Sequence, residues 1–247
     1  MSFMYVVSHM LKPVSAEELG HFEQQYSVSL PASYRQWLEQ YGEGTYSGWM
    51  NIQRPDQEVL KPFAEYDFWM HTEDTPVSQD QLKECISIGS SVDGDFLAIH
   101  PMIDGLLWLP RHDEQITLWE HTESEFGDML DKIYCGYYRQ ATPITLRYYE
   151  PWNELRNHTF YHLQDNGEGL SLHHLSKLCQ SQFKWDAMIE NEYTCKLFMA
   201  SIGGYLRFNY AYGSEIVLFY EETDGSRGTT DYELEQFLLA HHCKIMN

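Results

Sequence analysis

Basic residues are scarce in this sequence. Sixteen Lys and Arg stand against 37 Asp and Glu, a net charge of −21 at pH 7. That balance argues against direct binding to nucleic acid, because phosphate backbones are held by basic side chains that release counterions. Long apolar runs are also missing. None approaches the roughly 18–20 residues needed to cross a bilayer, and the opening Met1-Ser2-Phe3-Met4-Tyr5-Val6-Val7 carries no basic region before an apolar core. The expectation is a cytoplasmic protein with no membrane insertion. The cysteines (Cys85, Cys135, Cys179, Cys195 and Cys243) are few, odd in number and never spaced as C-x-x-C. Neither a disulfide framework nor a zinc ribbon is indicated, and reduced thiols fit best. The motifs G-x-x-x-x-G-K-[ST], G-x-S-x-G and H-E-x-x-H are absent as well, so phosphate-loop, esterase and zincin chemistry lack their physical minimum. The expectation is a protein that is not an enzyme and carries no cofactor.

What the sequence does have is enough to build a core. Of its 247 residues 43% are hydrophobic and 15% aromatic, a length best matched by two units. Ser15-Ala-Glu-Glu18 reads as an N-cap with its return partner, and Leu19, Phe22 and Tyr26 follow at helical spacing. A second helix is expected after Leu30-Pro31, with Tyr34, Trp37, Leu38 and Tyr41 on one face until Gly42-Glu43-Gly44 stops it. Short strand-like runs then follow: Trp49–Ile52, Cys85–Ile88, Asp95–His100, Gly105–Leu109 and Gln115–Trp119. Turn signals such as Asp93-Gly94 and Asp104-Gly105 separate them and predict an antiparallel meander. From Ser124 to Tyr138 the helical spacing returns with Phe126, Met129, Leu130 and Ile133.

Residues 141–157, with Pro143 and Pro151, read as a connection that packs through Tyr148, Tyr149 and Trp152. Beyond it, helices are expected over Leu170–Cys179 and Thr230–His241, and strands over Tyr205–Tyr210 and Glu215–Tyr220. The fold class read from this pattern is α+β. Residues 1–140 would pack two N-terminal helices on a meander with a closing helix, and 158–247 would form a smaller α+β unit.

The first unit resembles the SUKH superfamily, which includes the yeast cell-wall glucan synthesis regulator, the SecY-interacting protein Syd and many bacterial immunity proteins. The resemblance covers roughly residues 15–140. It rests on Phe22-Glu-Gln-Gln-Tyr26, Leu30-Pro-Ala-Ser-Tyr34 and Trp37-Leu38, then on Ile86-Ser-Ile-Gly89, Gly94-Asp95-Phe96 and Ser124-Glu-Phe126 with Met129-Leu130. The sequence departs from the family at Glu43, which displaces the second glycine of an Asn-Gly-Gly, and at His100, where an acidic residue is common. The resemblance implies a protein-binding role and assigns no functional site to any residue.

His158-x-x-x-His162 would present two imidazoles on one face of a helix, but Thr159, Phe160 and Tyr161 suit a strand, so no metal is expected. Tyr46, Trp49, Tyr66, Phe68, Trp69, Tyr148, Tyr149 and Trp152 could anchor a partner, although such residues are more often core. Acidity is the more informative feature because it is uneven. Asp56–Asp131 holds 18 acidic residues against Lys61, Lys83 and Arg111, a balance of −15, whereas 151–247 carries −6. An acidic face suits a basic partner, and a nuclease is basic because it must hold phosphates. The leading expectation is therefore a bacterial immunity protein that binds and occludes a cognate toxin, a nuclease being the example the charge favours. Asp93, Asp95, Asp104, Asp113 and Glu114 would make the contact, with Trp69 as its anchor. The alternative is a regulatory scaffold for cell-envelope or signalling proteins. An acidic hydrolase comes third.

Overall fold

A computed structural model describes residues 4–8, 10–121, 125–139, 144, 146–164, 169–222 and 228–246. Ser124, Gln140 and Pro143, which figured in the reading of the closing helix and the connection, lie outside the described residues. The chain divides into two compact units, Leu11–Trp152 and the pair of segments Met1–Met10 and Asn153–Asn247. Strand β1 (Met4–Val6) is therefore described with the C-terminal unit.

In Leu11–Trp152 the first helix, α1 (Ala16–Tyr26), begins as the sequence expects. The Ser15 hydroxyl accepts from the Glu18 N–H at 3.1 Å while Glu18 Oε2 accepts from the Ser15 N–H at 3.1 Å. This reciprocal cap satisfies two donors that the first turn leaves open. Helix α2 (Ala32–Tyr41) follows, with Pro31 at the cap rather than inside the first turn, and it buries Tyr34, Trp37 and Leu38. Then come β2 (Gly44–Tyr46), β3 (Met50–Asp56), β4 (Ile86–Ser91), β5 (Phe96–His100), β6 (Ile103–Leu109), β7 (Thr117–Trp119), α3 (Phe126–Tyr137) and β8 (Arg147–Pro151). Strands β3 to β7 pair antiparallel in sequence order, the meander the turns predict. Strand β8 pairs antiparallel with β2, so part of the stretch read as a connection is built into this sheet.

Alternation along the strands sends side chains to two faces, and each face is covered differently. On one face α3 is seated by rings, Trp49 on Tyr134 and Trp108 on Tyr137, each pair at 5.1 Å between centroids. Trp37, Phe126, Tyr46 and Tyr149 extend the same aromatic layer under α2. Among the described residues no α-helix covers the other face. Ala98, Leu107 and Leu109 point instead at Leu60, Ala64, Trp69, Val77 and Leu82, which belong to the long segment between β3 and β4. Two 3-10 helices, Lys61–Glu65 and Asp80–Glu84, stiffen that cover.

The C-terminal unit contains β9 (Arg156–Leu163), α4 (Leu172–Gln182), β10 (Ala187–Glu190), β11 (Thr194–Met199), β12 (Gly204–Asn209), β13 (Glu215–Glu221), α5 (Thr229–Ala240) and β14 (Cys243–Ile245). Its antiparallel sheet runs β10-β11-β12-β13-β9-β14, and α4 and α5 share one core with Tyr161, Leu197, Leu206, Phe208 and Leu218. Tyr5 of β1 packs on Phe198 at 5.5 Å. The α+β class read from the sequence holds for the molecule. Among the described residues no helix is long and apolar enough to cross a membrane.

Candidate functional site

In a meander, alternate turns fall at opposite ends of the sheet. The β4–β5 turn (92–95) and the β6–β7 loop (110–116) therefore lie at one end, and the β5–β6 turn (101–102) at the other. The first end brings together Asp93, Asp95, Asp113 and Glu114, and the cover segment adds Trp69. The Met70 N–H donates to the Glu114 carbonyl at 2.9 Å and the Trp69 Nε1–H to the Pro110 carbonyl at 2.7 Å, tying the cover to the β6–β7 loop. Asp104, at the start of β6, is not part of this group. It stands beside His121, at the far end of the sheet.

The aspartates of the β4–β5 turn have opposite roles although they are two residues apart. Asp93 and Asp113 are exposed. Asp95 is 1% exposed, and its carboxylate is filled with protein donors. Its Oδ1 accepts from the Arg111 N–H at 2.8 Å, and its Oδ2 from the Ser91 hydroxyl at 2.6 Å and the Tyr138 hydroxyl at 3.2 Å. The Ser91 oxygen in turn accepts from the N–H groups of Asp93 and Asp95. Gly94, at φ +92°, allows the reversal, and a Cβ there would meet Arg111 Cδ at 2.8 Å. Asp95 is thus a staple for the turn, which corrects its placement among surface contacts: a buried carboxylate persists only where donors replace its water.

Trp69 needs a similar correction. At 4% exposure it does not project as an anchor; its indole fills the core under the cover. Tyr46, Trp49, Tyr148 and Tyr149 are buried too, whereas Tyr66, Phe68 and Trp152 remain exposed at 66%, 40% and 41%. Beside Trp69 the surface forms a hollow of about 340 Å³, and Asp67, Phe68, His71 and Glu114 are among its walls.

Sequence reasoning missed Tyr137 and Tyr138, which the last turn of α3 delivers to this end. The Tyr138 hydroxyl donates to Asp93 Oδ2 at 3.1 Å as well as to Asp95. Burial raises the pKa of both phenols, and the negative field of Asp93 and Asp95 raises them further, with Asp113 adding to it at Tyr137. The Tyr-Tyr pair after a helical run was visible in the sequence, but nothing local ties it to a turn more than forty residues earlier.

The other candidates do not assemble. His158 and His162 lie on β9, a strand, with both side chains exposed. Among the described residues no group of three or more His, Cys, Asp and Glu is placed to hold a metal ion. Burial pushes the thiols of Cys85, Cys179 and Cys243 up to about 12 and that of Cys195 to about 11, so none is a thiolate at neutral pH.

The site therefore lies on an α+β unit in which helices and a long cover segment enclose an antiparallel meander. Residues 13–134 match the model of the SMI1 / KNR4 family (SUKH-1), so the resemblance to the SUKH superfamily holds over that segment. No curated protein and no solved structure matches the chain.

Proposed function

We propose that this is a non-enzymatic protein-binding protein, a bacterial cytoplasmic immunity protein that binds a cognate basic toxin and occludes it. The SUKH-1 match supports a protein-binding role. The observation that carries the reading is the convergence of exposed Asp93, Asp113 and Glu114 with exposed Val92, Phe68 and Met70 at one end of the meander. Exposed apolar side chains among carboxylates that outnumber the exposed Arg111 beside Gly94 suit a protein partner of mostly opposite sign. Asp95 supports the same reading. The buried carboxylate here has its oxygens engaged by the turn, whereas an acid catalyst needs one free for substrate. A nuclease is the toxin class that the charge favours, since its groove must hold phosphates. Asp104, at the far end, would contact only a partner large enough to span the sheet.

The test is capture of partners from the source organism's lysate by the tagged protein, at low salt and at about 0.5 M salt, with identification by mass spectrometry. A basic toxin domain should be retained. The triple variant Asp93→Asn, Asp113→Asn, Glu114→Gln should slow its association about tenfold or more at low salt and leave the melting temperature nearly unchanged. Recovery of envelope or signalling proteins in place of a toxin would overturn immunity in favour of the regulatory scaffold.

A further inference from the structure

We propose that Tyr138 is a positioning residue, whose hydroxyl holds the exposed Asp93 carboxylate in one orientation before any partner arrives. This deepens the reading above and rests on it, because Asp93 is one of the side chains that would meet the partner.

The phenol is itself held in place. It caps the C-terminus of α3, and its ring centroid lies 5.1 Å from that of Tyr134, 5.0 Å from that of Tyr137 and 6.1 Å from that of Trp49. Packing against three rings leaves the side chain few rotamers and so fixes where its hydroxyl stands. Burial keeps that hydroxyl protonated at neutral pH, so it is a standing donor.

The donor has one hydrogen and two acceptors in reach, Asp93 Oδ2 at 3.1 Å and Asp95 Oδ2 at 3.2 Å. The acceptors are not equally supplied. Asp95 also takes the Ser91 hydroxyl at 2.6 Å and the Arg111 N–H at 2.8 Å. Among the described residues Tyr138 alone donates to the Asp93 side chain. The main chain at Asp93 is already tied, its N–H donating to the Ser91 oxygen at 3.2 Å. What remains free is the side chain's own rotation, and the charge-assisted bond from Tyr138 closes it. With Oδ2 engaged, Oδ1 is left for an incoming cation. An exposed aspartate without such a tether samples several rotamers, and a partner that selects one of them pays in ordering entropy.

The experiment reads side-chain rotation by NMR on the full chain, from three-bond couplings of each aspartate's carboxylate carbon to its own backbone nitrogen and carbonyl carbon. In the parent protein Asp93 should show the couplings of a single staggered well. In Tyr138→Phe, which keeps the ring and removes the hydroxyl, they should move to values averaged over several wells. Asp95 should stay fixed, because Ser91 and Arg111 still hold it, and so should exposed Asp113, which Tyr138 does not bond. The melting temperature should fall by a few degrees at most. An averaged Asp93 in the parent, unchanged Asp93 couplings in the variant, averaging of Asp95 together with Asp93, or loss of the fold would overturn the proposal; the last two would make the hydroxyl part of the frame. No partner is added, so the positioning can fail while toxin capture stands, and it can hold where no toxin is captured.

Discussion

The two ends of the meander are both held by a buried side-chain acceptor, yet the acceptors differ in kind. At the acidic end the Asp95 carboxylate gathers donors from Ser91, Arg111 and Tyr138, which belong to three separate elements. At the other end His100 Nδ1 accepts a single local N–H, that of Met102, at 3.1 Å. One acceptor is a carboxylate that links β4, the β6–β7 loop and α3; the other is an imidazole closing one turn. The comparison teaches that the acidic end is tied together chiefly by a buried carboxylate, to which exposed Asp93 adds one bond from Tyr138. The exposed Asp93, Asp113 and Glu114 are carried on a frame that another carboxylate builds.

The sharpest way to break that comparison is Asp95→Ala. It strands the Arg111 N–H and the Ser91 hydroxyl, leaves Asp93 to the Tyr138 hydroxyl, and should lower stability by about 3 kcal/mol, read as the loss in chemical denaturation. Asp95→Asn keeps one accepting oxygen and lets the hydroxyls turn, so its cost should be smaller. Equal effects would mean that packing, not hydrogen bonding, matters at this position. Gly94→Ala is the next in size. The positive φ and the Arg111 side chain in the way of the new methyl should cost about 1–2 kcal/mol.

The smallest effect belongs to the other end and appears only as a pH dependence. Burial holds the His100 imidazole below the usual histidine range, against the pull of Glu84. The unfolded chain then binds a proton that the folded chain resists, so this group makes stability fall as pH drops below about 6.5. Protonation would also turn the Nδ1 acceptor into a donor facing the Met102 N–H. His100→Asn retains an acceptor at that place and removes the titration. Its melting temperature should therefore decline less between pH 7 and pH 5 than that of the parent, with His121, also lowered by burial, supplying part of what remains.

Much of this frame was legible in the sequence. The Ser15–Glu18 cap, the aromatic faces of α2 and α3, and the five strands of the meander were set by local periodicity and turn chemistry. The parts that escaped depend on pairing across distance. Strand β2 has three residues and is completed by β8, a hundred positions later. Strand β9 offers only Tyr161 and Leu163 to its core, too few to mark an alternation among its polar residues. Strands β10 and β11 were missed as well: β10 has only four residues, and in β11 the alternation of Thr194-Cys-Lys-Leu197 stops at Phe198 and Met199. The site was half legible. Charge placed Asp93, Asp113 and Glu114 on a common surface, but charge alone also put Asp95 there, because the three donors that bury it are invisible until the turns meet. Trp69 was singled out as a protruding residue and is instead one wall of a receptacle.

The segment between β3 and β4 has a divided duty. Its inward residues, Leu60, Ala64, Trp69, Val77 and Leu82, close the second face of the sheet, while Asp67, Glu73, Asp74 and Asp80 point to solvent. Because only two short 3-10 helices interrupt an otherwise irregular segment, most outward positions answer to no periodic pattern. Substitutions there can rewrite what the surface recognises while the inward set, and so the fold, stays as it is. A lineage could change partners by editing this one stretch of chain, without having to invent a new way of folding it.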